Sequence, residues 1–195
     1  MRAKVLISGT LIVLMSGGCS TVRVLTGKCE AEFVELDWPI MIEQSGHTTT
    51  SRLSERITRT SLGSAEYDRV KAALILGEAA PGTAVMWSAS AFNVNGGYIG
   101  VLLPVPVSAG QTVPIEGAFV GGGWGLRSVR PGAPATIGLR SSDFVATFAG
   151  GSLQVTGIRP LAVHVDFTAN SASNAALRIV GNAQFSVRNG SVRCD

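Results

Sequence analysis

The side chains in this sequence that could do chemistry are few and scattered. His164 and Asp166 stand two apart in the alternating stretch Leu161 to Thr168, so both lie on one face of a strand. A hydrolase orients a histidine with an aspartate in this way, but it also needs a nucleophile, and the chain has no Gly-x-Ser-x-Gly elbow to supply one. The pair therefore reads as an exposed polar strand face. His47, the other histidine, falls in a polar segment and reads as solvated. A glycosidase needs two carboxylates across a cleft. Glu78, Glu116, Asp143 and Asp166 are the isolated acids of the body, each beside a turn or on a polar face, and nothing in their spacing pairs them. The run Gly121-Gly122-Gly123-Trp124-Gly125 lacks the Lys-Ser/Thr ending of a phosphate loop, so its glycines serve a turn or bulge. Trp124 and Tyr98 are aromatics beside glycine-rich turns. They either stack on a sugar or small ligand, or cover one end of the core. No catalytic residues, metal ligands or cofactor are expected from these patterns.

The elements that would position these groups read as short strands. Alternation and β-branched runs mark Cys29–Trp38, Thr83–Phe92, Tyr98–Leu103, Thr112–Val120, Thr136–Leu139, Leu161–Thr168 and Ala176–Val187. Asp143–Phe148 and Leu153–Ile158 read as a hairpin around Gly150-Gly151. Pro81-Gly82, Asn93 to Gly97 and Asn189-Gly190 read as turns. Thr48-Thr49-Thr50-Ser51 reads as a loop or exposed ribbon. Residues 64–80 are ambiguous: Ser64 begins a segment in which Tyr67, Val70 and Leu74 fit a helix, but Val70, Ala72, Leu74 and Leu76 also alternate, and the strand reading is preferred. In the late strand Leu161, Val163, Val165 and Phe167 face inward. Trp38 and Trp87 read as core. Many short strands between turn signals predict an all-β fold, a single β-sandwich with a barrel as the alternative.

The chain begins with Arg2 and Lys4, continues with an apolar run from Val5 to Met15, and reaches Cys19 through Ser16, Gly17 and Gly18. A charged start, a short apolar stretch and a small-residue exit form a secretory signal. The run of about 11 residues is too short for a spanning helix, which needs roughly 20. Leu14-Met15-Ser16-Gly17-Gly18-Cys19 resembles the lipobox of bacterial lipoproteins, with Ser16 where that pattern usually has leucine. The resemblance implies that residues 1–18 are removed and that Cys19 carries a diacylglycerol and an acyl chain. It implies a lipidated tether at residues 19–28 and a body at residues 29–195. Two or three acyl chains hold a protein firmly to a bilayer. Ser20, where an aspartate would retain a Gram-negative lipoprotein at the inner membrane, implies the outer membrane, facing the periplasm. The last fifty residues, with strands of the type Val163–Thr168 and Ala183–Val187, resemble a recurrent arrangement in uncharacterised bacterial lipoproteins; that likeness implies a sandwich and no named activity.

Removing Arg2 and Lys4 leaves fourteen basic residues against thirteen acidic, so charge gives no case for nucleic acid. The charge is uneven. Glu30, Glu32, Glu35, Asp37 and Glu43 crowd the start of the body, and seven arginines fall between Arg127 and Arg193. The two ends of one domain are expected to pair these charges or turn them to water. Cys29 and Cys194 are the cysteines left after Cys19. In an oxidising compartment they are expected to form a disulfide, with first and last strands adjacent and Cα atoms within roughly 4.4–6.8 Å. These observations lead to the expectation of a non-catalytic, membrane-anchored envelope lipoprotein that contacts another envelope protein or the cell surface. A carbohydrate or small-ligand module using Trp124 and Tyr98 is the alternative, and a hydrolase the third.

Overall fold

A computed structural model describes residues 28–91, 97–173 and 175–193. Alternating apolar residues drive its longest strands. β1 (Lys28–Gln44) buries Val34, Leu36, Trp38 and Ile40 on one face and leaves Glu35, Asp37 and Glu43 on the other. The two residues Ser45 and Gly46, both at positive φ (52° and 78°), turn the chain into β2 (His47–Thr58). Two central residues of positive φ match the twist of a tight hairpin.

The remaining strands are β3 (Thr83–Ser90), β4 (Tyr98–Val105), β5 (Thr112–Phe119), β6 (Gly125–Ser128), β7 (Ala135–Arg140), β8 (Ala146–Ile158), β9 (Leu161–Ser171) and β10 (Ala176–Arg193). They form one ten-stranded sheet in the order β2-β1-β10-β9-β8-β5-β7-β4-β3-β6, with only β5–β7 parallel among its described pairings. The fold is all-β, and the sheet is not closed into a barrel. It curls instead into a sandwich-like body around one core. Trp87 of β3 meets Phe185 of β10 edge-on at 5.2 Å, although five strands separate them along the sheet. The expected inward face of β9 is correct: Leu161, Val163, Val165 and Phe167 are buried, as are Trp38 and Trp87.

Three sequence readings are corrected. Residues 64–76 are helical, not a strand: α1 (Arg59–Leu62) and α2 (Ser64–Lys71) lead into a π-helical turn, Ala72–Leu76. Helical spacing puts Tyr67, Val70, Ala73 and Leu74 together in the core. The alternative alternation would have buried Leu76, which is exposed. Gly150-Gly151 is no turn either. β8 runs straight through it, paired with β9 from Ala146 to Ile158. A side chain on Gly151 would collide with the carbonyl oxygen of Asp166, so glycine here permits two strands to approach closely. Asn189-Gly190 likewise lies inside β10, opposite Glu32 and Ala31. The Thr48–Ser51 segment is the exposed ribbon and not a loop. The Asn93–Gly97 turn lies, apart from Gly97, outside the described residues.

Antiparallel pairing sorts the connections to two poles. The start of β1 and end of β10 (Lys28 opposite Arg193), the helices, and the Pro81-Gly82 turn sit at one. The Ser45-Gly46 hairpin tip, the glycine loop before β6 and the start of β8 sit at the other. β1, with 17 residues, sets the poles at most about 55 Å apart at 3.3 Å per residue.

Candidate functional site

Tyr98 and Trp124 are brought together, but as pins for a loop. Tyr98 begins β4 at the hairpin pole, and its hydroxyl accepts the backbone N–H of Gly121 at 2.6 Å. The Ser88 hydroxyl accepts the N–H of Gly123 at 2.6 Å, and the Trp124 indole donates to the Ser88 carbonyl at 2.9 Å. Trp124 also meets Phe185 edge-on at 6.0 Å. The Trp124 indole N–H is thus spent within the fold, the Tyr98 hydroxyl is engaged as an acceptor, and Trp124 covers one end of the core.

His164 and Asp166 do share a face of β9, yet each has another partner. His164 Nδ1 is 2.9 Å from the Asn182 side-chain oxygen. Asp166 receives a two-pronged bond from Arg178 at 3.0 and 2.9 Å, and Arg178 also reaches Glu43 at 3.2 Å. The bonds from Arg178, together with its charge, hold the Asp166 carboxyl below the usual carboxylate range. The early acids meet later bases as expected of one domain's two ends: Glu43 with Arg178, and Glu35 with Arg188 at 2.7 Å. Others pair across the hairpin, Asp37 with Arg52 and Glu35 with Arg56. Among the described residues, no group of three His, Cys, Asp or Glu is placed to hold a metal.

At the opposite pole Glu32 accepts from Lys71 at 2.8 Å and from the Tyr67 hydroxyl at 3.2 Å. The Lys71 bond, aided by its charge, lowers the Glu32 carboxyl; burial, with Glu32 beside it, pushes the Tyr67 phenol upward. A polar recess of about 460 Å³ opens here between Glu30, Glu32, Thr58, Arg59, Thr60 and Asn189.

The sheet's free edges form the other candidate site, and sequence reasoning missed them. β6 is short, and α2 lies against it: Glu66 accepts the Leu126 N–H at 2.8 Å while bonded to Arg69. The half of β3 beyond β6 is closed by Trp124 on Ser88 and by Glu55, whose carboxylate accepts the Ser90 N–H at 3.4 Å. Glu55 points inward from β2, opposite Leu36. An inward charge on an edge strand discourages pairing. The first half of β2 has no such device among the described residues: His47 through Arg52 are six consecutive exposed residues. The signal for β2 was present in the β-branched threonines and in a two-residue Ser-Gly link between strands.

Cys19 and Cys194 lie outside the described residues. Cys29 is in β1, opposite Val192, so the first and last strands are neighbours. No described helix is long and apolar enough to cross a membrane. Comparison with protein-family models, curated proteins and solved structures finds no match to this chain.

Proposed function

We propose that this chain is a lipid-anchored envelope protein with a non-catalytic, protein-contacting role, held at the outer membrane through Cys19 and displaying its hairpin pole away from the bilayer. The observation that carries this reading is the direction of β1. Its described start is Lys28, nine residues past the lipobox cysteine, and it runs at most about 55 Å to the hairpin tip. A tether entering at Lys28 presents the opposite pole to the periplasm. The groups with catalytic potential favour display over chemistry, because His164, Asp166 and Glu32 are each bonded to neighbouring side chains. The ligand-binding alternative is weakened for the same reason, since the Tyr98 hydroxyl and the Trp124 indole already hold the glycine loop.

The reading includes a Cys29–Cys194 disulfide. Cys29 lies opposite Val192 and the described ladder ends at the Lys28–Arg193 pair, so the last strand runs beside Cys29 as it approaches residue 194. In a loop-entropy account such a long closure stabilises by about 5 kcal/mol.

Mass analysis of protein isolated from its own envelope under non-reducing conditions tests both parts. The expected product starts at an acylated Cys19 and yields linked Cys29 and Cys194 peptides. Cys19→Ala is expected to give an unlabelled protein when cells are fed a radioactive fatty acid. A wild type that takes up no fatty acid removes the anchor from the reading, and two free thiols remove the disulfide.

A further inference from the structure

We infer that the outer face of β8 and β9, away from the Tyr98–Trp124 loop, binds an uncharged, β-linked glycan chain, with Phe148 as the ring on which one sugar stacks. The inference does not rest on the lipid anchor. It starts from what the register places side by side. Phe148 of β8 stands opposite Asn170 of β9, Gly150 opposite Thr168, Ser152 opposite Asp166 and Gln154 opposite His164. Thr168 and His164 in turn stand opposite Arg178 and Asn182 of β10. Successive side chains of a strand point to opposite faces, and the residues between these, Leu153, Val165, Phe167 and Ile179, are buried. The first set therefore shares the side of the sheet turned away from the core, and it is open to water in part or in full.

Phe148 is 56% exposed, and among the described residues no other aromatic ring is more exposed than buried. It is nonetheless seated. A methyl group on Gly150 would meet the ring at 3.5 Å, so the ring rests against the strand above a residue that has no side chain. An apolar ring held at a surface in this way offers the C–H face of a pyranose a stacking platform, and its rigidity keeps the entropy lost on binding small. Next to it, between His47, Thr48, Thr168 and Arg178, lies a recess of about 310 Å³.

The charge on this face selects the occupant. Its acids and base neutralise one another, because Arg178 bonds both Asp166 and Glu43. His164 is joined to Asn182. Ser152, Gln154, Thr168 and Asn170 take no part in these bonds, and their hydroxyls and amides both donate and accept. A charged polymer meets no net opposite charge here. An apolar partner would bury those amides and hydroxyls without partners, which is unfavourable. An uncharged sugar chain complements both parts, with hydroxyls for the amides and a C–H face for the ring. β-Linked pyranoses make a straight ribbon, which can follow the strands from Phe148 to Gln154. Val120 and Val145 are also exposed. A protein that covers them together with Phe148 is the rival occupant.

The test uses the mature full chain in detergent, with cellotetraose and N-acetylated chitotetraose as probes and maltotetraose, an α-linked chain that coils, as control. Affinity is read by calorimetry, and the site by shifts of amide resonances in NMR spectra. The expected result is binding of at least one β-linked probe and not of the control, with shifts confined to residues 148–154, 164–170 and 178–182. Phe148→Ala is expected to keep the melting temperature of the wild type and to weaken binding on the order of tenfold or more. Gln154→Ala is expected to weaken it less. Failure of both probes to bind, shifts at the glycine loop Gly121–Gly125 instead, or a Phe148→Ala protein that binds like wild type overturns the proposal. Self-association that Phe148→Ala removes, with no probe bound, identifies a protein contact and overturns the glycan. The Cys19→Ala protein is expected to bind the probe equally, so a failed anchor shows in fatty-acid labelling and a failed glycan site in calorimetry.

Discussion

β6 contributes four residues to the sheet and lies under α2; β2 contributes twelve, of which the first six are exposed. Both strands end the same sheet and face the same problem of unpaired backbone groups. At β6 the solution uses a whole helix: Tyr67, Val70 and Leu74 bury one face of the helical segment, which holds Glu66 against the Leu126 N–H. At β2 the backbone is left to water along a polar ribbon. Among the described residues, edge protection in this molecule is thus uneven.

The largest expected effect comes from removing the cover. Tyr67→Ala empties a fully buried aromatic site and is expected to cost about 3–5 kcal/mol in chemical denaturation, with β6 amides losing exchange protection first. A cost below about 1 kcal/mol would mean that α2 is an ornament on the sheet and that the contrast between its edges is false.

A smaller effect separates the two edges directly. Glu66→Ala leaves the Leu126 N–H without its carboxylate and is expected to cost about 1–3 kcal/mol. Thr50→Ala on the open ribbon is expected to fall within about 0.5 kcal/mol of wild type. Equal losses for the two variants would show that the β2 edge is covered in solution.

The smallest effect is a pH dependence of the ion pairs at both poles. Asp166, Asp37 and Glu32 are each held below the usual carboxylate range, in each case chiefly by a hydrogen bond from a neighbouring base: Arg178, Arg52 and Lys71. Their stabilisation is present above the unfolded carboxylate values of about 4 and disappears as pH falls through the lower folded values. The melting temperature is expected to fall between about pH 5 and pH 2, and Arg178→Ala to flatten part of that fall. These groups are partly exposed, so the slope is modest and weakens in high salt. An Arg178→Ala profile parallel to wild type would mean that its ion pairs do not form in solution.

Much of the sheet was legible because period-2 alternation acts locally. Leu161, Val163, Val165 and Phe167 announce an inward face wherever β9 is placed. The candidate site was much less legible. Thr48 to Ser51 carries almost no apolar pattern, since neither face of that ribbon is buried, and burial is what writes alternation into a strand. The aromatics chosen as binding groups, Tyr98 and Trp124, were visible as residues near glycine turns; that their polar atoms bond to Gly121 and Ser88 depends on contacts spanning 23 and 36 positions.

By itself the sequence determined the all-β class, the inward face of β9, and a start that resembles an anchored lipoprotein. Each of these follows from composition or from short-range spacing. Tertiary structure decided the rest. Residues 64–76 satisfy both periods, and the helix prevailed because it brings Tyr67, Val70, Ala73 and Leu74 into one core. Gly150-Gly151 and Asn189-Gly190 carry turn chemistry, and became strand interior because long partners continue the ladder past them, β5 and β9 on both sides of the first pair and β1 on one side of the second. Which edge is covered and which is open was decided last, by where α2 and Trp124 come to rest, since an edge exists only once every other strand has found its neighbour.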